Sequence, residues 1–322
     1  KQVISGSPLT RDITGEEFYS TIYSIRESTI KEGVIWVGAN DGPVHVTKDG
    51  GKNWTNVTPK GMPTGGRVDA VEPSPHDEAK AFVAILRYQL GDWKPYIYRT
   101  KDSGSSWELI TKGIPADFPV RVIREDPEQP GLLFAGTEYG MFVSFNDGEE
   151  WMPFQQNLPV TPITDIKIHR GDLVLSTMGR GFWVLDNTYS LKDFSTAEVN
   201  ETKLLPIAKT IRYRNPKVRK DRNAYVQYPN PGLIIDYQLQ EKVDSPLKLE
   251  IVNSKGDIVT TIVGKSSDKQ LKKEVVQSMS LNQVYYIDDS RLATKKGINR
   301  YVWNFRHNGT LFPKISKANR NG

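Results

Sequence analysis

Thr47-Lys48-Asp49-Gly50-Gly51-Lys52-Asn53-Trp54 is the first of three copies of one short turn signature. The others are Thr100-Lys101-Asp102-Ser103-Gly104-Ser105-Ser106-Trp107 and Ser144-Phe145-Asn146-Asp147-Gly148-Glu149-Glu150-Trp151. Each reads hydroxyl, any residue, Asp or Asn, any residue, Gly, two variable residues, Trp. The tryptophans recur about 53 and about 44 residues apart, the spacing of repeat architectures.

Working outward from the tryptophans, each repeat predicts four short strands. The first copy predicts strands over 22–27, 34–39, 44–47 and 54–57. The second predicts 67–72, 80–88, 96–100 and 107–110, and the third 120–125, 132–136, 141–144 and 151–154. Ser74-Pro75-His76-Asp77 and Asp126-Pro127-Glu128-Gln129-Pro130-Gly131 fall between first and second strands, where Pro and Gly end pairing. A fourth, truncated copy covers 163–169, 172–177 and 181–186 with no turn signature after it. Four short strands per repeat of this length predict β-propeller blades. Residues 1–14 are poor strand formers and four blades are few for a ring. Further blades, upstream or on a partner chain, are therefore expected to complete it.

The chain has 322 residues, a net charge of +5, 26 glycines, 20 prolines and no cysteine. Two domains are the expectation at that length. The absence of cysteine removes disulfides and thiolate metal sites from consideration. No apolar run is long enough for a membrane helix, so no membrane span is expected. The modest charge, mixed in sign, gives no reason to expect nucleic acid as a partner. His45, His76, His169 and His307 show no ligand spacing, and no phosphate loop, dinucleotide fingerprint or nucleophile elbow occurs. No metal and no cofactor are expected.

The turn signature resembles the Asp box, and the chain resembles the sialidase-, sortilin- and xyloglucanase-type propellers that carry it between the third and fourth strands of their blades. The resemblance implies that Asp49, Asp102 and Asn146 accept hydrogen bonds from their own turns. Gly51, Gly104 and Gly148 are expected to be left-handed, and Trp54, Trp107 and Trp151 to be buried between strands. These nine residues are expected to be structural.

Function is then expected at the opposite ends of the blades, in the loops joining second to third strands: 40–42, 87–95, 138–140 and 178–180. Arg87, Tyr88, Trp93, Tyr139 and Arg180 are the binding candidates, because aromatic faces stack on sugars while charged groups bind hydroxyls and carboxylates. Asp41 or Asp92 paired with Glu138 is the candidate carboxylate couple of a glycoside hydrolase. Loop acids also serve as plain turn formers.

The pattern changes after Asn187. Residues 188–232 read as a basic linker packing on the propeller, containing the run Arg212-Tyr213-Arg214-Asn215-Pro216-Lys217-Val218-Arg219-Lys220-Asp221-Arg222. Strands are expected at 232–239 and around 247–252, with a hairpin turn at Lys255-Gly256, and again at 297–306 with Tyr301, Trp303 and Phe305 on one face. Residues 269–276 read as a short helix. Residues 233–310 thus predict an antiparallel β-sandwich, with 311–322 as a tail. Tyr228-Pro229-Asn230-Pro231-Gly232 and Gly297-Ile298-Asn299-Arg300-Tyr301-Val302-Trp303 make this half resemble the immunoglobulin- or fibronectin-like module that follows the propeller in bacterial sortilin-like and glycosyl-hydrolase-like proteins. The cysteine-rich modules of true sortilins are absent.

The expectation is therefore an all-β, extracytoplasmic protein (secreted, periplasmic or cell-surface) that binds a glycan or a protein partner at the propeller rim. The alternatives are a glycoside hydrolase whose site is completed by upstream blades, and a structural subunit of a surface assembly.

Overall fold

The computed structural model describes residues 20–192, 201–212, 232–243, 247–264 and 292–305. The expected helix at 269–276, most of the basic run and the 228–231 motif lie outside them. The chain divides into two compact units, Lys1–Thr188 and Tyr189–Gly322. Among the described residues, no helix is long and apolar enough to cross a membrane.

The first unit is a series of antiparallel meanders. The first sheet orders β1 (Ile22–Glu27), β2 (Ile35–Ala39), β3 (Val44–Thr47) and β4 (Thr55–Asn56) side by side. The second repeats this with β5 (Arg67–Pro73), β6 (Ala81–Leu86), β7 (Ile97–Thr100) and β8 (Glu108–Leu109). The third does so with β9 (Val120–Glu125), β10 (Leu133–Thr137), β11 (Met141–Ser144) and β12 (Met152–Pro153). The fourth has three strands, β13 (Ile163–His169), β14 (Asp172–Thr177) and β15 (Phe182–Leu185). The first strand of each sheet packs on the first and second strands of the sheet before it. Successive meanders stacked through their first strands are the arrangement of propeller blades.

The fourth strands are only two residues long, and β12 ends in Pro153, which an edge strand tolerates because its missing N–H faces no ladder. The region around Tyr88, expected as strand, is instead a short 3-10 turn (Tyr88–Leu90) closed by left-handed Gly91, whose N–H donates to the Tyr88 carbonyl.

Side chains from two sheets make each core layer. Val34, Trp36, Val44 and Val46 of the first sheet interdigitate with Val68, Val71, Val83 and Ile85 of the second, and Trp36 meets Trp107 edge to face at 6.1 Å. Gly38 is required here, because a Cβ would overlap the Val68 side chain.

The three turn signatures fold alike. The leading hydroxyl, on Thr47, Thr100 or Ser144, donates to Asp49, Asp102 or Asn146 at 2.8–2.9 Å and accepts from the N–H of Gly51, Gly104 or Gly148 at 2.9–3.0 Å. The Asp or Asn then accepts from the N–H four residues on, at Asn53, Ser106 or Glu150. The three glycines have φ of +92°, +87° and +88°, as expected. The residue before each is left-handed too: Gly50, Ser103 and Asp147, the last two unusual for a side-chain-bearing residue.

The tryptophans differ in a way the sequence does not announce. Trp107 Nε1 donates to the Val57 carbonyl at 2.7 Å and Trp151 Nε1 to the Ile110 carbonyl at 2.7 Å, each reaching the end of the preceding sheet. Trp151 is buried and Trp107 partly so. Trp54 corrects the expectation: it is 43 % exposed and donates to Gly51 within its own turn, because no described sheet precedes it.

Hydrogen bonds to the Asp49 carboxylate, first from the Asn53 backbone, and to Asp102, first from the Ser106 hydroxyl, hold both below the ordinary carboxylate value. A depressed native pKa contributes stability that is present above the unfolded pKa, about 3.9, and lost as pH falls through the lower native value. Asn146 does not titrate. As pH falls through the lowered native values, protection of the Asn53 and Ser106 amides relative to their intrinsic exchange rates should drop, while that of Glu150 should not; equal behaviour at all three would refute this.

In the second unit, β16 (Lys203–Leu204), β17 (Leu233–Leu239) and β20 (Gly297–Trp303) form one antiparallel sheet, and β18 (Lys248–Val252) pairs with β19 (Ile258–Val263) in another. The expected hairpin is present, with Gly256 left-handed in its turn. Tyr237, Leu239 and Leu292 make a small core with Leu247, Leu249 and Ile262. Buried Asp236 takes a two-pronged bond from Arg300 at 2.7 and 2.9 Å.

Candidate functional site

The first strand of every sheet in the first unit is interrupted at one equivalent place. Pairing passes from Ile22 to Ser24, from Val68 to Ala70, from Val120 to Val122 and from Ile163 to Asp165. Tyr23, Asp69, Arg121 and Thr164 are thus unpaired bulge residues, and bulges re-aim side chains. All four lie where the first strand begins, beside the loops joining second to third strands.

Three of them meet in one polar patch. Arg67 clamps Asp69 at 2.5 and 3.0 Å, while its guanidinium lies over the Tyr23 ring at 4.3 Å. On the other side of Asp69 stands Arg121, 3.8 Å from Asp69 Oδ2, 2.6 Å from Glu138 Oε1 and 5.8 Å from the Tyr88 ring centre. Burial pushes the Asp69 carboxyl above its ordinary value, opposed by Arg67 and Arg121. Arg121 Nη2 makes the contact with Glu138 Oε1, while Arg121 Nε is buried without a hydrogen-bond partner. Asp41 Oδ1 is in the same condition, while Asp41 Oδ2 accepts from Ser20 at 2.6 Å.

The sequence-derived candidates separate into engaged and available groups. Arg87 is buried: Nη1 donates to the carbonyls of Pro63, Thr64 and Gly65, and Nε donates to Asp92 at 2.9 Å. It therefore holds the 63–65 loop. Burial pushes the Asp92 carboxyl upward, but bonds from Arg87 and Tyr96 outweigh it and leave the pKa lowered. The partner Tyr96 hydroxyl is raised, by burial first and this bond second, to about 12. Asp41, Asp92 and Glu138 thus have separate partners, Ser20, Arg87 and Arg121. Tyr88 packs at a tilt of 42° against the half-exposed Trp93, centroids 5.7 Å apart, and Tyr139, also part-exposed, at 59° against Phe118, centroids 4.8 Å apart. Arg180 is exposed, with its backbone fixed by Thr177 and by the Trp183 indole.

Tyr23, Asp69 and Arg121 were not reachable from residue type, since the four bulge positions carry Tyr, Asp, Arg and Thr; only the pairing register identifies them, and Arg67 enters through its clamp on Asp69.

No protein-family model matches the chain. Among curated proteins, vacuolar protein sorting/targeting protein 10 of Laccaria bicolor is 33 % identical over 109 residues, and the oligoxyloglucan-reducing end-specific xyloglucanase of Emericella nidulans is 25 % identical over 108. Each alignment covers 33 % of this chain, but only 7 % and 13 % of those proteins. Among solved structures, the GH74 xyloglucanase of Xanthomonas campestris superposes with a TM-score of 0.41 at 15 % identity, covering 66 % of this chain and 33 % of that one. YCF48 from Cyanidioschyzon merolae gives 0.41 at 16 %, covering 77 % and 73 %. Over a third of its length, then, this chain, nearly all β among the described residues, is similar in sequence to a sortilin-like sorting protein and to a xyloglucanase.

Proposed function

We propose that this chain is an extracytoplasmic binding protein of the Asp-box propeller class, recognising a glycan at the end of the sheets where the bulges lie. The single observation that carries this reading is the set of exposed aromatic faces, Tyr23, Trp93 and Tyr139, around the Arg67–Asp69–Arg121–Glu138 patch, since such faces suit sugar rings and charged groups suit hydroxyls. The second unit reads as the immunoglobulin-like sandwich that accompanies such propellers.

A glycan array that includes xyloglucan oligosaccharides tests the reading. Tyr23 is half-exposed, so Tyr23→Ala should leave thermal stability unchanged and weaken binding about tenfold, the loss of one stacking contact. Absence of binding to every glycan overturns it.

A hydrolase reading is favoured by one feature, the approach of Asp69 and Glu138 to a shared Arg121, with Asp69 raised by burial as a general acid requires. Binding is preferred because the Arg67 clamp takes both Asp69 oxygens. Release of reducing ends from xyloglucan oligosaccharides, abolished by Asp69→Asn, would reverse that preference.

A further inference from the structure

Aligning the sheets on their bulges makes Ile22 equivalent to Val68, Val120 and Ile163, and Ile25 to Val71, Ile123 and Ile166. The six equivalents are at most 1 % exposed, because each packs on the sheet before it, whereas Ile22 is 64 % and Ile25 61 % exposed. Trp54 belongs to the same face, 43 % exposed where Trp151 is 2 %. The glycines agree. A Cβ on Gly104 would meet Val57 Cβ at 2.6 Å and one on Gly148 would overlap Ile110, while Gly51 has only its own Trp54 ring nearby, at 3.9 Å.

We propose that this face of the first sheet is a docking surface for a further four-stranded sheet built like the second and third. The two described seams specify the occupant. Its fourth strand must be followed directly by a β-branched aliphatic residue, as β4 is by Val57 and β8 by Ile110, to fill the space above Gly51. The carbonyl of that residue must accept the Trp54 indole, which now turns back on Gly51. The last sheet of the first unit, as a second copy would offer it, does not meet the specification, because it has three strands among the described residues.

Two experiments test the proposal. In the 322-residue chain, Ile22→Asp with Ile25→Asp should shift Tm by no more than about 2 °C and reduce binding of a hydrophobic dye, whereas the equivalent core change Val71→Asp should lower Tm by about 10 °C or more. A large drop for the first pair means the face is already covered, and overturns the proposal. In the second, residues 67–119 are repeated immediately before Ile22, preserving the register by which they lead into Val120. Acrylamide quenching of Trp54, assigned by difference with Trp54→Phe, should fall several-fold and return when Ile22 and Ile25 are made Asp. Unchanged quenching in the folded fusion overturns the proposal. So does concentration-dependent dimerisation of the parent chain that protects Trp54, which would assign the face to a second copy.

Discussion

Lys80→Met should destabilise the first unit by about 3–5 kcal/mol, the range for stripping one partner from a buried ion pair. Lys80 Nζ lies 2.7 Å from Glu125 Oε1 and 3.0 Å from Asp147 Oδ1, joining the second sheet to the third. The Glu125 side chain has no exposure at all, and its Oε2 has no hydrogen-bond partner. Without the ammonium it would keep only the Gly131 N–H on Oε1. Asp147 would fare better, because Arg99 and Lys101 also face it. The double variant Lys80→Met with Glu125→Gln should therefore recover more than half the loss, since the amide oxygen still accepts from Gly131 and no charge is stranded. Denaturant unfolding of both single variants and the double measures this; additive losses would show that the pair is not coupled.

Gly113→Ala should have an effect of similar size, about 3–5 kcal/mol, by a different route. Gly113 has φ of +100°, where a side chain is strained, and an added Cβ would overlap the Trp151 carbonyl oxygen. That contact cannot yield by a side-chain rotation, because the Trp151 N–H is bonded to the Lys112 carbonyl at 2.8 Å and its indole to Ile110 at 2.7 Å. Gly61 is the control. It has φ of +86° and nothing within 4 Å of a Cβ, so Gly61→Ala should cost about 1 kcal/mol, the conformational part alone. If the two variants lose equal stability, the seam at Trp151 is looser than the packing implies.

Much of the scaffold was legible because its signals are local. The predicted strands at 22–27, 44–47, 120–125, 141–144, 163–169 and 172–177 coincide with the observed ones, since apolar residues, turn formers and spacing all lie within a few residues of one another. The candidate site was harder to see. Arg87 looked like a rim ligand, but its partners are carbonyls at 63–65, more than twenty residues away, and nothing in residue type signals backbone acceptors. The environment of Trp54 depends on what precedes the first sheet, so three matching signatures could not reveal that one differs. The bulges depend on the register of two paired strands, which periodicity within one strand does not report.

Those bulges separate two jobs that most strands perform together. At positions 23, 69, 121 and 164 the ladder releases one residue, while in the second to fourth sheets its neighbours at 68, 120 and 163, and at 71, 123 and 166, carry the contacts between sheets. Tyr, Asp, Arg and Thr occupy the released positions on one unchanging frame. The repeat therefore behaves as a socket with interchangeable inserts, and its specificity could be rewritten at four addresses without recomposing the core.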